Sequence, residues 1–170
     1  DTPKTILDGA AGERFTDIHT RHGIELPGKR WIVPTGTGKT FSVNDFARAG
    51  NKTVLAVPTK ALARNVAAEY GAVFWDGKNR TIVQGAGFYV STYASLPAFA
   101  SRVESVKEWH LFLDEAHNFT AAAAAGYMYK PLCRVLDIAP HFANLTTLTG
   151  TDVETYHPVV EVRVTRQNGA

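Results

Sequence analysis

Residues 33–40 read VPTGTGKT and follow directly on the apolar run Trp31, Ile32, Val33. Two readings of that stretch compete: a flexible glycine turn carrying a solvated lysine, or a loop that cradles phosphate. Its position decides between them. A short buried strand precedes it and a helix-like segment begins near Lys39, which is where a phosphate loop must sit. Gly36 and Gly38 let the backbone fold tightly with its N–H groups turned inward, and the start of the helix adds positive dipole. Pro34, Thr35, Gly36, Thr37, Gly38, Lys39 and Thr40 are therefore the candidate nucleotide-binding residues: the Lys39 ammonium reaches the β and γ phosphates, and the Thr40 hydroxyl serves Mg²⁺. One departure stands. The strict pattern G-x-x-x-x-G-K-[ST] asks for glycine where this chain has Val33.

Outward from this loop, apolar bursts alternate with helix-like segments. The bursts at 31–34, 53–58, 88–93, 110–115 and 145–149 are short, rich in β-branched and aromatic residues, and bounded by Gly, Pro or Asn, as strands buried on both faces are. Between them, 39–49 reads as a helix stopped by Gly50 and Asn51. A second helix, 60–70, is stopped by Gly71 and places Leu62, Val66 and Tyr70 on one face. This alternation predicts an α/β fold, a mainly parallel sheet with helices on both faces. An Asp76-Gly77 turn predicts a hairpin between AVFW and TIVQG. The alanine tract 121–125 predicts a helix interrupted near Gly126 and Pro131. The expected organisation is an extension packed on the domain over 1–30, the main domain over 31–158, and an exit strand and linker over 159–170.

A phosphate loop that works on a triphosphate needs an acidic partner to anchor Mg²⁺ and activate water. HLFLDEAH at 110–117 supplies one. The apolar strand delivers Asp114 to a strand tip, where it can hold the metal, and Glu115 follows as candidate general base. Lys39, Glu115 and Asp114 are the candidate catalytic set, with Thr40 and Asp114 as the metal residues.

Composition narrows the remaining classes. The chain has 170 residues, 45% of them hydrophobic, enough for one full core. A formal net charge of +2 gives no argument of its own for a nucleic-acid partner. The single cysteine, Cys133, rules out an internal disulfide and a thiolate metal cage. No apolar run spans a bilayer and the first residues lack a signal-peptide order, so an intracellular, cytoplasmic protein is expected, with no membrane partner. The chain starts at Asp1, as a processed or trimmed piece would. The remaining histidines show no metal-ligand spacing.

Taken in order, PTGTGKT, VPTKALARN at 57–65, VSTYASL at 90–96, DEAH at 114–117 and LTGT at 148–151 resemble motifs I, Ia, Ib, II and III of superfamily 2 helicases and translocases. The likeness runs from about Trp31 to Asp152 and points to the first RecA-like, P-loop NTPase domain of a DEAH-type member. It implies ATP and Mg²⁺ as cofactors. It also implies that Pro58, Thr59, Lys60 and Thr92 line the edge where a single strand of DNA or RNA lies, and that His117, Thr149 and Thr151 couple the nucleotide to a neighbouring domain. Arg64, Lys78 and Arg80 are further cations that can add charge there. The third motif departs from the common Leu-Thr-Ala-Thr-Pro at Gly150 and Asp152. The segment DEAHNFTAAAAAGYMY is similar in spacing to flavivirus-type helicases, which implies a viral or phage source. The glutamine that reads adenine in the DEAD-box branch has no counterpart upstream of the loop, since the glutamines are Gln84 and Gln167; Arg14, Phe15 or Trp31 could border the base.

The same resemblance implies a second RecA-like domain, bringing an arginine finger, with no room for it after LTGT. Activity of these residues alone should then be weak. Three alternatives remain: a duplex DNA translocase such as a restriction-enzyme motor, a small-molecule kinase, whose arginine-rich lid is not evident here, and a non-catalytic docking module, which would have no chemical need for Lys39, Thr40, Asp114 and Glu115.

Overall fold

The computed structural model describes residues 4–34, 37–114, 129–150 and 160–166. Within them the chain runs β1 (Lys4–Gly9), α1 (Phe15–Arg21), β2 (Lys29–Ile32), α2 (Lys39–Arg48), β3 (Thr53–Val57), α3 (Lys60–Tyr70), β4 (Val73–Trp75), β5 (Phe88–Thr92), α4 (Leu96–Arg102), β6 (His110–Asp114), α5 (Tyr129–Ile138), β7 (Asn144–Thr149) and β8 (Val160–Arg166). Eight described strands form one sheet in the order β1-β8-β2-β7-β6-β3-β5-β4. Every pairing is parallel.

The alternation of side chains along the central strands explains why they read as unbroken apolar runs. Leu55, Val57 and Phe112 point to a core shared with α1, α2 and α3, through residues such as Phe15, Val43 and Val66. Val54, Ala56, Leu111 and Leu113 point to the other face, where Phe99 of α4 and Val135 of α5 pack. Both faces are covered, so β3 and β6 carry apolar side chains on both sides over most of their length. On the second face Trp75, Tyr89, Phe99 and Trp109 form an edge-on aromatic cluster, with Trp75 and Phe99 centroids 5.5 Å apart. Helices lie on both faces of a parallel sheet, as the sequence predicts.

Four segments differ from expectation or add to it. Residues 4–9, read only as part of an extension, form a strand, and the expected exit strand, 160–166, belongs to the same sheet: β8 lies between β1 and β2 and pairs with both. The predicted hairpin after Trp75 does not form. β4 and β5 are parallel neighbours, so 76–87 must carry the chain back across the sheet. Gly77 lacks the positive φ of a two-residue Asp-Gly hairpin. Instead the Asp76 carboxylate accepts the N–H groups of Lys78 and Asn79 at 2.9 and 2.8 Å, curling the chain into a local turn. Pro131 lies within α5 and does not end it. The alanine tract and Gly126 lie outside the described residues.

Candidate functional site

Because the sheet is parallel, the carboxyl ends of all its strands share one edge, and most of the candidate residues collect along it. The loop leaving β2 is tied down on both sides. The Val33 N–H donates to the Thr149 carbonyl at 2.8 Å, and the Phe15 N–H at the start of α1 donates to the Thr37 carbonyl at 2.8 Å. The Thr37 hydroxyl, buried, donates back to the Pro34 carbonyl at 2.7 Å. Gly38 follows as the N-cap of α2 with φ of +86°, a left-handed conformation that side chains disfavour. It brings no capping side chain, so the first amides of α2 face the loop. Lys39 and Thr40 open the helix, half-buried. Among the described residues, no hydrogen bond or ion pair engages the Lys39 ammonium or the Thr40 hydroxyl.

Asp114 is the last residue of β6 and is only 8% exposed. It stands in register with Leu148 of β7, while Ile32 of β2 stands in register with Thr149, so the two strand tips are level to within a residue. One strand separates them, a lateral gap of about 10 Å. Thr149, fully buried, lies on that intervening strand. The donor set fits a magnesium nucleotide in kind: an ammonium, a hydroxyl and open amides on one side, a carboxylate on the other. Thr35, Gly36, Glu115, His117 and Thr151 lie outside the described residues.

Further along the edge, β3 ends at Val57 and β5 at Thr92, which is 9% exposed. Pro58 is half-buried, and Thr59 and Lys60 are exposed at the start of α3. Thr59 is the N-cap of α3, its hydroxyl oxygen accepting the Leu62 N–H at 3.2 Å, which leaves its own proton to donate. The Lys60 ammonium lies 3.6 Å from the buried Asp76 carboxylate. Burial works to raise the Asp76 pKa, but the Asn79 and Lys78 amides, the Asn79 side chain and Lys60 outweigh it and hold the carboxyl well below its ordinary range. Arg80 joins the same turn through its Nε bond to the Asp76 carbonyl at 3.0 Å. Arg64 lies apart from it, its guanidinium 5.3 Å from the centroid of Phe74.

The three groups considered for the base are otherwise engaged. Phe15 and Trp31 are fully buried and pack edge-on at 4.9 Å, and the Trp31 indole N–H donates to the Leu26 carbonyl at 2.8 Å. Neither ring has a face to offer. Arg14 sits 4.9 Å over the Phe41 ring at the start of α2, close to the loop. Sequence reasoning missed three contributors: the Phe15 amide as a brace on Thr37, Asp76 as the partner of Lys60, and Tyr93. The Tyr93 N–H donates to the Val57 carbonyl at 3.0 Å, and its hydroxyl donates to the Asp114 carbonyl. The only signal for the last was an aromatic residue at a strand tip. Cavities of about 680 and 570 Å³ open at the opposite, amino edge of the sheet, around Trp109 and His110 respectively.

An all-parallel sheet with helices on both faces and a loop-to-helix turn at its carboxyl edge defines a RecA-like α/β domain. Solved structures share that fold. The UvsW helicase from bacteriophage T4 is 14% identical with a TM-score of 0.57, the match covering 88% of this chain and 58% of that one. The Hef helicase domain of Pyrococcus furiosus is 17% identical at a TM-score of 0.63, covering 92% and 38%. A nuclease-deletion mutant of the Type ISP restriction-modification enzyme LlaGI, solved with a DNA substrate mimic, is 15% identical at 0.56, covering 87% and 19%. At these identities the likeness is one of fold, and this chain spans little more than half of the T4 chain and less of the others. No family model matches the sequence, and no curated protein matches it.

Proposed function

We propose that the chain is the nucleotide-binding half of an ATP-driven nucleic-acid motor, a helicase of the DEAH type once joined to a second RecA-like domain. The observation that carries this reading is the strand order β2-β7-β6, which brings the 33–40 loop and Asp114 to one edge with a single strand between them. In this reading Lys39 and the amides at the start of α2 hold the β and γ phosphates, and Thr40 and Asp114 hold Mg²⁺. The metal, when bound, neutralises charge on the phosphate oxygens. Glu115 takes the proton of the attacking water. His117, Thr149 and Thr151 pass the state of the nucleotide to the second domain. Pro58, Thr59, Lys60 and Thr92 grip sugar and phosphate of a single strand, contacts that do not read bases.

The fold likeness to both T4 UvsW and LlaGI leaves a duplex translocase as the second reading. Strand displacement separates the two in the intact protein: a helicase releases a labelled strand from a partial duplex in an ATP-dependent way, whereas ATP turnover with movement but no release marks a translocase. Absence of magnesium ATP binding in a fluorescence titration contradicts both.

A further inference from the structure

Tyr93 is fully buried just past the tip of β5 and touches two other strand ends. Its backbone N–H donates to the carbonyl of Val57, the last residue of β3, and its hydroxyl reaches past β3 to donate to the carbonyl of Asp114, the last residue of β6. The sheet order here is β6-β3-β5, so one residue, through its backbone N–H and its hydroxyl, ties together three neighbouring strand tips. On one side of the tie are Thr92, adjacent in sequence, and Pro58 and Thr59, which follow Val57. On the other is the peptide between Asp114 and position 115, whose carbonyl oxygen is the acceptor.

Resting on the function proposed above, we infer that Tyr93 is a positioning residue that links the nucleic-acid edge to the hydrolytic acids. A carbonyl belongs to a rigid, planar peptide, so holding the Asp114 oxygen sets the plane from which the next residue departs. A strand lying on Thr59 and Thr92 bears on the tips of β3 and β5, and the Tyr93 hydroxyl carries any shift to that plane. Small displacements of a catalytic group are costly in rate, which makes one hydrogen bond an adequate transmitter. The ring itself is seated among Leu96, Leu113 and their neighbours on the second face of the sheet, so its place does not depend on the hydroxyl.

Tyr93→Phe removes the hydroxyl and keeps the ring. In the intact protein, ATP hydrolysis is measured with and without an oligothymidylate or oligouridylate, alongside oligonucleotide affinity and a melting curve. The inference expects an unstimulated rate and an oligonucleotide affinity within about twofold of wild type, with the stimulated rate down roughly tenfold. Wild-type stimulation in Tyr93→Phe overturns it, and so does an equal loss of stimulated and unstimulated rates, which reduces Tyr93 to support for the acids. A wild-type rate that Lys39→Ala does not lower overturns the functional reading instead. Amide exchange on the wild type provides a check that needs no variant: oligonucleotide binding alters exchange at Leu113 and Asp114, and unchanged exchange there overturns the link.

Discussion

Lys39 and Asp76 show how differently two charged residues on one edge of the sheet can be used. Lys39 has no partner among the described residues and sits at the mouth of a helix whose amides are open. Replacing it with alanine should weaken magnesium nucleotide binding by about 2–3 kcal/mol, roughly 30- to 150-fold in Kd, while the melting temperature hardly moves. Asp76 is the converse, a buried carboxylate with four nitrogen partners. Its pKa lies below the ordinary value, so the stability it contributes is fully present above about pH 4 and fades as the pH falls further. Melting curves from about pH 7 to about pH 3 should show wild type losing more stability than Asp76→Asn over the acid limb. Parallel curves for the two would contradict this. In the sequence Asp76 carried only a turn signal. Its role as Lys60's partner depends on β4 lying beside β5 at the sheet edge, a long-range fact that no local pattern encodes.

The elements most easily read from sequence were those whose signals are local. The caps of α3, Thr59 and Gly71, and the apolar runs of β3 and β6 mark their own ends. The 76–87 connection was misread because an Asp-Gly pair between β-forming residues has the same local signature whether the following strand runs antiparallel or parallel. β1 went unread, and β8 was expected as an exit strand with no sign of its place in the sheet, because the two pair only across most of the chain's length, Lys4 lying opposite Glu161. Two glycines separate stability from function at this scale. Gly71, the C-cap of α3, and Gly38, the N-cap of α2, both have positive φ, +68° and +86°. An added Cβ at either would meet its nearest neighbour at an ordinary 3.7 Å, so the penalty of alanine is the backbone conformation, about 1–2 kcal/mol in each case. Chemical denaturation should find similar losses for Gly71→Ala and Gly38→Ala. Only the second should also impair nucleotide binding, because only that turn shapes the loop proposed to hold phosphate.

At the level of the whole molecule, the carboxyl edge gathers the loop, the acid strand and the tips of β3 and β5, and the motor function proposed above requires a second surface to close over them. The arginine finger that such a surface supplies is worth about 10³–10⁵ in rate. These 170 residues alone should therefore bind magnesium ADP yet turn over ATP slowly and without stimulation by single strands; fast, stimulated turnover would show that the chain needs no partner domain. The parallel sheet and the shared edge were legible from the alternation of elements and the two motifs. The strand order that sets their spacing was not, because apolar runs of similar length are interchangeable until they pair. The account depends on the loop and Asp114 serving one nucleotide and one metal, and a titration of a fluorescent ADP analogue with and without Mg²⁺ tests that most directly. Wild type should bind more tightly when Mg²⁺ is present, and Asp114→Asn should lose that gain while keeping its metal-free affinity. Full Mg²⁺ dependence in Asp114→Asn would contradict the account.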